Sequence, residues 1–200
     1  RRQDHTRRPN QVQQIMSARF TRTCLLTLAA AIATAATTVA YAQQAATPAS
    51  TLPNGAASVS ETYGDWTVDC RLVDRRKQCL LSQVQGNKET GRRVYAIELT
   101  PPAGGKTEGT ILMPFGLNLD AGAVLKLDDK DLGKGLRFST CVSQGCLLPV
   151  SFPATATDAM RKGTKLVVAS LNLSSNEPVT FSVSLNGFAA ALARVTELAK

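Results

Sequence analysis

The chain is nearly without histidine and tryptophan: its 200 residues include one of each, His5 and Trp66. His5 lies ahead of the sequence that reads as folded. That leaves no imidazole to serve as general base, and Ser-His-Asp and Cys-His catalysis drop out together. Neither GxxxxGK[ST] nor GxGxxG occurs, so nucleotide chemistry lacks its usual backbone cradle. No CxxC pair is present to lower a thiol pKa. Internal repeats are absent as well.

The first quarter does not read as globular. From Met16 the sequence MSARFTRTCLLTLAAAIATAATTVAYAQQ has basic residues Arg19 and Arg22, then an apolar run from Cys24 to Val39, then Ala40-Tyr41-Ala42. These are the three regions of a secretory signal peptide over 16–42, with cleavage expected after Ala42. The run is rich in alanine and diluted by threonine, which disfavours a retained membrane anchor. Residues 1–15, RRQDHTRRPNQVQQI, precede this initiator-like methionine and read as an upstream, non-native extension. The expected address is the periplasm, outer-membrane association or secretion, with no transmembrane span after cleavage.

Charge follows from this division. The whole chain is +8, but taking away residues 1–42, with six Arg and one Asp, leaves 17 basic against 14 acidic side chains, a net of +3. Nucleic-acid binding loses its compositional support, since it needs a dense basic face to neutralise phosphates.

Residues 43–62, QQAATPASTLPNGAASVSET, are small and polar and read as a flexible linker. The domain proper is expected over 63–200. Asp65 to Val73 alternates, with Trp66, Val68, Cys70 and Leu72 on one face, the pattern of a half-buried strand. Further short strands are expected at 78–85, 93–99, 110–113, 117–119, 123–127, 136–142, 146–152, 166–173 and 179–185. Strands of this length and spacing predict a mainly β domain, an antiparallel β-sandwich with one or two short helices. One helix is expected at 156–162, leaving through a left-handed Gly163. Another begins at Gly187, with Phe188, Leu192 and Val195 forming one apolar stripe.

Four cysteines remain after cleavage, and an even number in an exported chain points to disulfides with three connectivities. Eight residues separate Cys70 from Cys79, and four separate Cys141 from Cys146. An even gap in a symmetric hairpin sets the two residues opposite each other, within disulfide reach. The predicted bonds are Cys70–Cys79 and Cys141–Cys146. A four-thiolate zinc site would want closer ligand pairs than Cys70 and Cys79, so no metal is expected, and no cofactor either.

The first hairpin would carry Arg75, Arg76 and Lys77 at its tip, the candidate partner contact. Arg92-Arg93 and Arg161-Lys162 are the other basic runs, read as solvated turns. Asp128, Asp129 and Asp131, with Lys130 and Lys134, read as a solvated loop. Glu98 interrupts the apolar run 94–99 and is expected to face solvent. Most aromatic residues fall on apolar faces and read as core. Asn172-Leu173-Ser174 matches a glycosylation sequon, a short pattern of low specificity.

Gly64-Asp65-Trp66 leading to Cys70 and Cys79, MPFGLNLDAGAVLKLDD at 113–129, FSTCVSQGCLLPV at 138–150 and VSLNGFAAALARV at 183–195 occur in an order that resembles the invasion-associated locus B (IalB) family. The resemblance implies a small β-sandwich of a Gram-negative envelope, in a family named for host-cell invasion, and supplies no catalytic motif. The expectation is a non-enzymatic module that binds a protein or envelope component and not nucleic acid. A glycan- or small-ligand-binding sandwich is the alternative, and a histidine-free hydrolase with a Ser-Lys or carboxylate site comes third.

Overall fold

The computed structural model describes residues 51–86 and 93–200. The expected extension, the signal segment and residues 43–50 of the expected linker lie outside them. Two antiparallel sheets form the domain. The larger is built from β1 (Ser58–Tyr63), β2 (Trp66–Val73), β3 (Arg76–Gly86), β4 (Arg93–Leu99), β5 (Lys106–Met113), β8 (Thr140–Val142) and β9 (Gly145–Pro153). Its strand order is β1-β2-β3-β4-β5-β9-β8. The smaller is β11-β10-β6-β7, from β6 (Ala123–Leu127), β7 (Lys130–Asp131), β10 (Lys165–Leu171) and β11 (Pro178–Ser184). Helices α1 (Ala154–Met160) and α2 (Phe188–Leu198) complete the fold.

Alternation explains the core. Trp66, Val68 and Cys70 of β2, Leu81 of β3, Tyr95, Ile97 and Leu99 of β4, and Ile111 and Met113 of β5 are all buried. They share one cluster with Leu166 and Val168 of β10, Val183 of β11, and Phe188, Leu192 and Val195 of α2. The apolar stripe of α2 covers β1 to β3. Each of its large side chains contributes about 1.5–3 kcal/mol through burial.

Four expectations need correction. Ser58–Tyr63 is a paired strand and not linker, and Leu52 ahead of it is buried at 2% exposure. The Ser/Thr-rich outer face of β1 disguised it, because only Val59, Glu61 and Tyr63 turn inward. Residues 117–119 make a single bridge, Leu117 to Asn172, instead of a strand. The strand expected at 136–142 is confined to 140–142, Leu136 making only a bridge to Ala123. Finally, α1 begins two residues earlier than expected, and Gly163 is not left-handed. Its lack of a side chain answers to space, since a Cβ there would lie 2.6 Å from Leu127 Cδ1.

Candidate interaction surface and its scaffold

Two sequence segments about 120 residues apart interlock at one end of the sandwich. The β1–β2 turn, Gly64-Asp65, lies against Asn186-Gly187, the loop between β11 and α2. The Asp65 amide donates to the Asn186 carbonyl at 3.1 Å. Asp65 Oδ2 accepts from Ser184 Oγ at 2.6 Å. Next to them Trp66 packs its ring 5.1 Å from that of Phe188, and Trp66 Nε1 donates to the Ser184 carbonyl at 2.9 Å. Gln83 Nε2 donates to the same carbonyl at 2.8 Å, while Gln83 Oε1 accepts from the Ser184 amide at 3.0 Å. Gln85 Nε2 and the Tyr95 hydroxyl both donate to the Ser182 carbonyl. Burial pushes the Tyr95 hydroxyl up to about 12.

On the neighbouring flank Arg194 of α2 clamps Glu61 of β1. Arg194 Nε and Nη2 donate to the two carboxylate oxygens at 2.7 and 2.8 Å. The Tyr63 hydroxyl adds a third bond at 2.7 Å. The guanidinium, and after it the Tyr63 hydroxyl, hold the Glu61 carboxyl down at about 2. The bond to the Glu61 carboxylate in turn pushes the Tyr63 hydroxyl upward. A bidentate, half-buried pair of this kind fixes helix orientation as well as contributing energy.

Both cysteine pairs form the predicted disulfides. In each hairpin the two cysteines are direct cross-strand partners. The Cα separations are 4.1 Å for Cys70–Cys79 and 3.9 Å for Cys141–Cys146. Cys70 belongs to the core, whereas Cys141 is exposed.

The first staple supports the basic tip. The strands end at Val73 and Arg76, leaving Asp74-Arg75 as a two-residue turn. Both residues have positive φ, 49° and 62°, as the tightest hairpin turns demand and as Asn-Gly would accommodate with less strain. Arg75 and Arg76 are exposed. Lys77 is half-buried and lines an open hollow together with Pro53, Arg194, Glu197 and Leu198. None of the three is in an ion pair among the described residues.

The other candidates have structural partners. Asp128 Oδ1 accepts the amides of Thr164 and Lys165, both at 3.1 Å, and Asp131 pairs with Lys126 at 3.5 Å. These contacts tie the acidic turn to β10 and β6. Asn172 Oδ1 is engaged by the amides of Ser174 and Ser175. Glu98 faces outward as expected, in a shallow trough of about 300 Å³ over Ala96, Leu112 and Leu147. Trp66 is 0% exposed and offers no stacking face, whereas Phe115, in the turn after β5, is 60% exposed. Sequence reasoning missed Glu61, Arg194 and Gln83. Gln83 on the inward register of β3 was the available signal, an amide where the pattern calls for an apolar residue.

A disulfide-stapled, two-sheet sandwich with a terminal helix locked to its first hairpin defines a small β-sandwich module. The chain belongs to the invasion associated locus B (IalB) protein family, whose model matches residues 66–196. It is 49% identical over 152 residues to an Invasion protein B homolog of Brucella abortus (strain 2308), covering 76% of this chain and 87% of that one. Identity to Invasion protein B of Bartonella bacilliformis is 33% over 152 residues, covering 75% and 81% of the two chains. The crystal structure of invasion associated protein B from Bartonella henselae superposes with a TM-score of 0.66 at 30% identity, over 70% of this chain and 96% of that one.

Proposed function

We propose that this protein is an exported, non-enzymatic module of a Gram-negative envelope that binds a protein or envelope component through the stapled β2–β3 tip, in the invasion-related role its relatives' names carry. The observation that supports this most is Arg75. A left-handed backbone disfavours any residue with a Cβ, by about 1–2 kcal/mol, yet this position holds a long, exposed, unpaired cation at the end of a disulfide-closed hairpin. Strain of this kind points to a surface selected for contact over local stability. A rigid basic tip suits an acidic patch on a partner, which it would meet with little ordering cost.

Two disulfides in a domain of this size support export to an oxidising compartment. No helix among the described residues is long and apolar enough to cross a membrane. Burial of Trp66 removes the tryptophan platform from the glycan-binding alternative and leaves it the exposed ring of Phe115. For the hydrolase alternative, the serine–carboxylate hydrogen bond found among the described residues is Ser184 to Asp65, and it ties β11 to the β1–β2 turn. The test is crosslinking in intact cells, with the captured partners identified, for the native chain and for Arg75→Glu with Arg76→Glu. Loss of specific adducts in the variant, at unchanged protein level, supports the reading. The same adducts from both chains would refute it.

A further inference from the structure

The strand edges of the two sheets are not treated alike. In the small sheet, the free edge of β11 is sealed by side chains, with its Ser182 and Ser184 carbonyls taking bonds from Tyr95, Gln85, Trp66 and Gln83. The opposite edge is β7, two residues long. In the large sheet β8 covers only Gly145 to Leu147 of β9. Beyond it the backbone groups of Pro149, Ser151 and Pro153 face outward, because the Leu147 carbonyl already bonds on that side, to the Ser139 amide. Two of those three residues are prolines with no N–H to offer, the usual way of blunting an edge.

The fourth edge, β1, has none of these devices among the described residues. It pairs with β2 for six consecutive residues without a bulge, Ser58 to Arg71 through Tyr63 to Trp66. The Tyr63–Trp66 pair closes the hairpin and the Ala57 carbonyl bonds the Leu72 amide. Odd-numbered residues therefore bond β2, and the N–H and C=O groups of Ser58, Ser60 and Thr62 point away from the sheet. All three residues are exposed, small and uncharged. The only charge on the strand, Glu61, is neutralised by Arg194.

We infer that β1 is a self-pairing edge, and that two copies of the chain join antiparallel along it to continue the large sheet across a two-fold axis. The strand's own sequence selects the register. With Ser60 opposite Ser60 of the second copy, Ser58 meets Thr62 and Val59 meets Glu61, so all three outward residues pair and no like charges oppose. Sliding one way sets Glu61 against Glu61, which is unfavourable; sliding the other leaves Thr62 without a partner. Strand pairing alone buries less than the roughly 1,200 Å² of a standard stable interface, so the dimer is weak and concentration-dependent. This inference goes beyond the proposed binding role and uses no residue of the basic tip, so its failure would leave that role standing.

The test is sedimentation of the full chain over a concentration series, for the native sequence and three Ser60 variants. Ser60→Pro deletes an outward N–H and no bond of the β1–β2 ladder, and a two-fold axis doubles the loss, so association weakens about tenfold or more. Ser60→Lys and Ser60→Glu each place like charges face to face and weaken it several-fold. An equimolar mixture of those two restores it, an outcome that mere destabilisation of the fold would not give. A native chain that stays monomeric at every concentration would overturn the inference. So would a dimer indifferent to Ser60→Pro, or a Lys/Glu mixture no tighter than either variant alone.

Discussion

Gly187 sits against the main chain of Tyr63 so closely that a Cβ on it would lie 1.9 Å from the Tyr63 carbonyl oxygen. Its φ of 84° also strains any residue with a side chain. The contact joins the first hairpin to the approach of the last helix, and Gly64 repeats it from the other side, where a Cβ would lie 2.7 Å from the Asn186 carbonyl oxygen. Two glycines thus allow two turns to stack, and the stacking delivers Phe188 to Trp66.

Gly187→Ala is therefore expected to cost more than about 3 kcal/mol, combining left-handed strain with a backbone clash that no side-chain rotation relieves. Denaturant unfolding monitored by Trp66 fluorescence measures it. A cost under about 1 kcal/mol would show that the turns can separate freely.

Trp66 Nε1 and Gln83 Nε2 share one acceptor, the Ser184 carbonyl. Trp66→Phe keeps a ring against Phe188 and leaves that carbonyl one donor, so the hydrogen-bond part of its cost is about 1 kcal/mol. Adding Gln83→Leu strands the carbonyl, and the double variant is expected to lose more than the sum of the singles. A double-mutant cycle reads the coupling, and strict additivity would contradict the shared-acceptor geometry.

The Glu61–Arg194 clamp sets an acid limit. Because the folded carboxyl is held down from 4.5 to about 2, the unfolded chain binds a proton in that interval which the folded chain refuses. The clamp's contribution is present above pH 4.5 and is lost as pH falls toward 2. Glu61→Gln should flatten this limb of the stability profile. At the alkaline end Tyr95 acts in the opposite sense: raised from 10.0 to about 12, its contribution is complete below pH 10 and fades as pH rises through 12. Tyr95→Phe should remove that slope.

Much of this architecture is legible in the sequence, for identifiable reasons. β4 and β6 occupy the residues expected of them because apolar residues fill their inward positions. The disulfide connectivity followed from parity, since an even gap in a symmetric hairpin brings two residues face to face. β1 was not legible because its inward side carries Glu61 and Tyr63, whose burial depends on Arg194, 133 residues away. The junction was legible only as separate motifs. Nothing local to Gly64-Asp65-Trp66 announces that its partner is Ser184 to Phe188.

Arg75→Gly separates stability from contact. Glycine accepts the 62° φ without strain, so the variant should be more stable by about 1 kcal/mol while binding its partner less well. Thermal unfolding and partner titration, run side by side, check the two halves. A destabilised Arg75→Gly chain would mean that the arginine side chain packs on its own domain.

The most direct measurement of the binding role places a photocrosslinking residue at Arg76, and separately at Lys162, in cells producing the otherwise native chain. Lys162 is an equally basic and exposed residue in the turn after α1, so charge alone does not distinguish the two positions. Discrete adducts are expected from position 76, and none of the same species from position 162. Identical adducts from both positions, or none from position 76, would contradict that role.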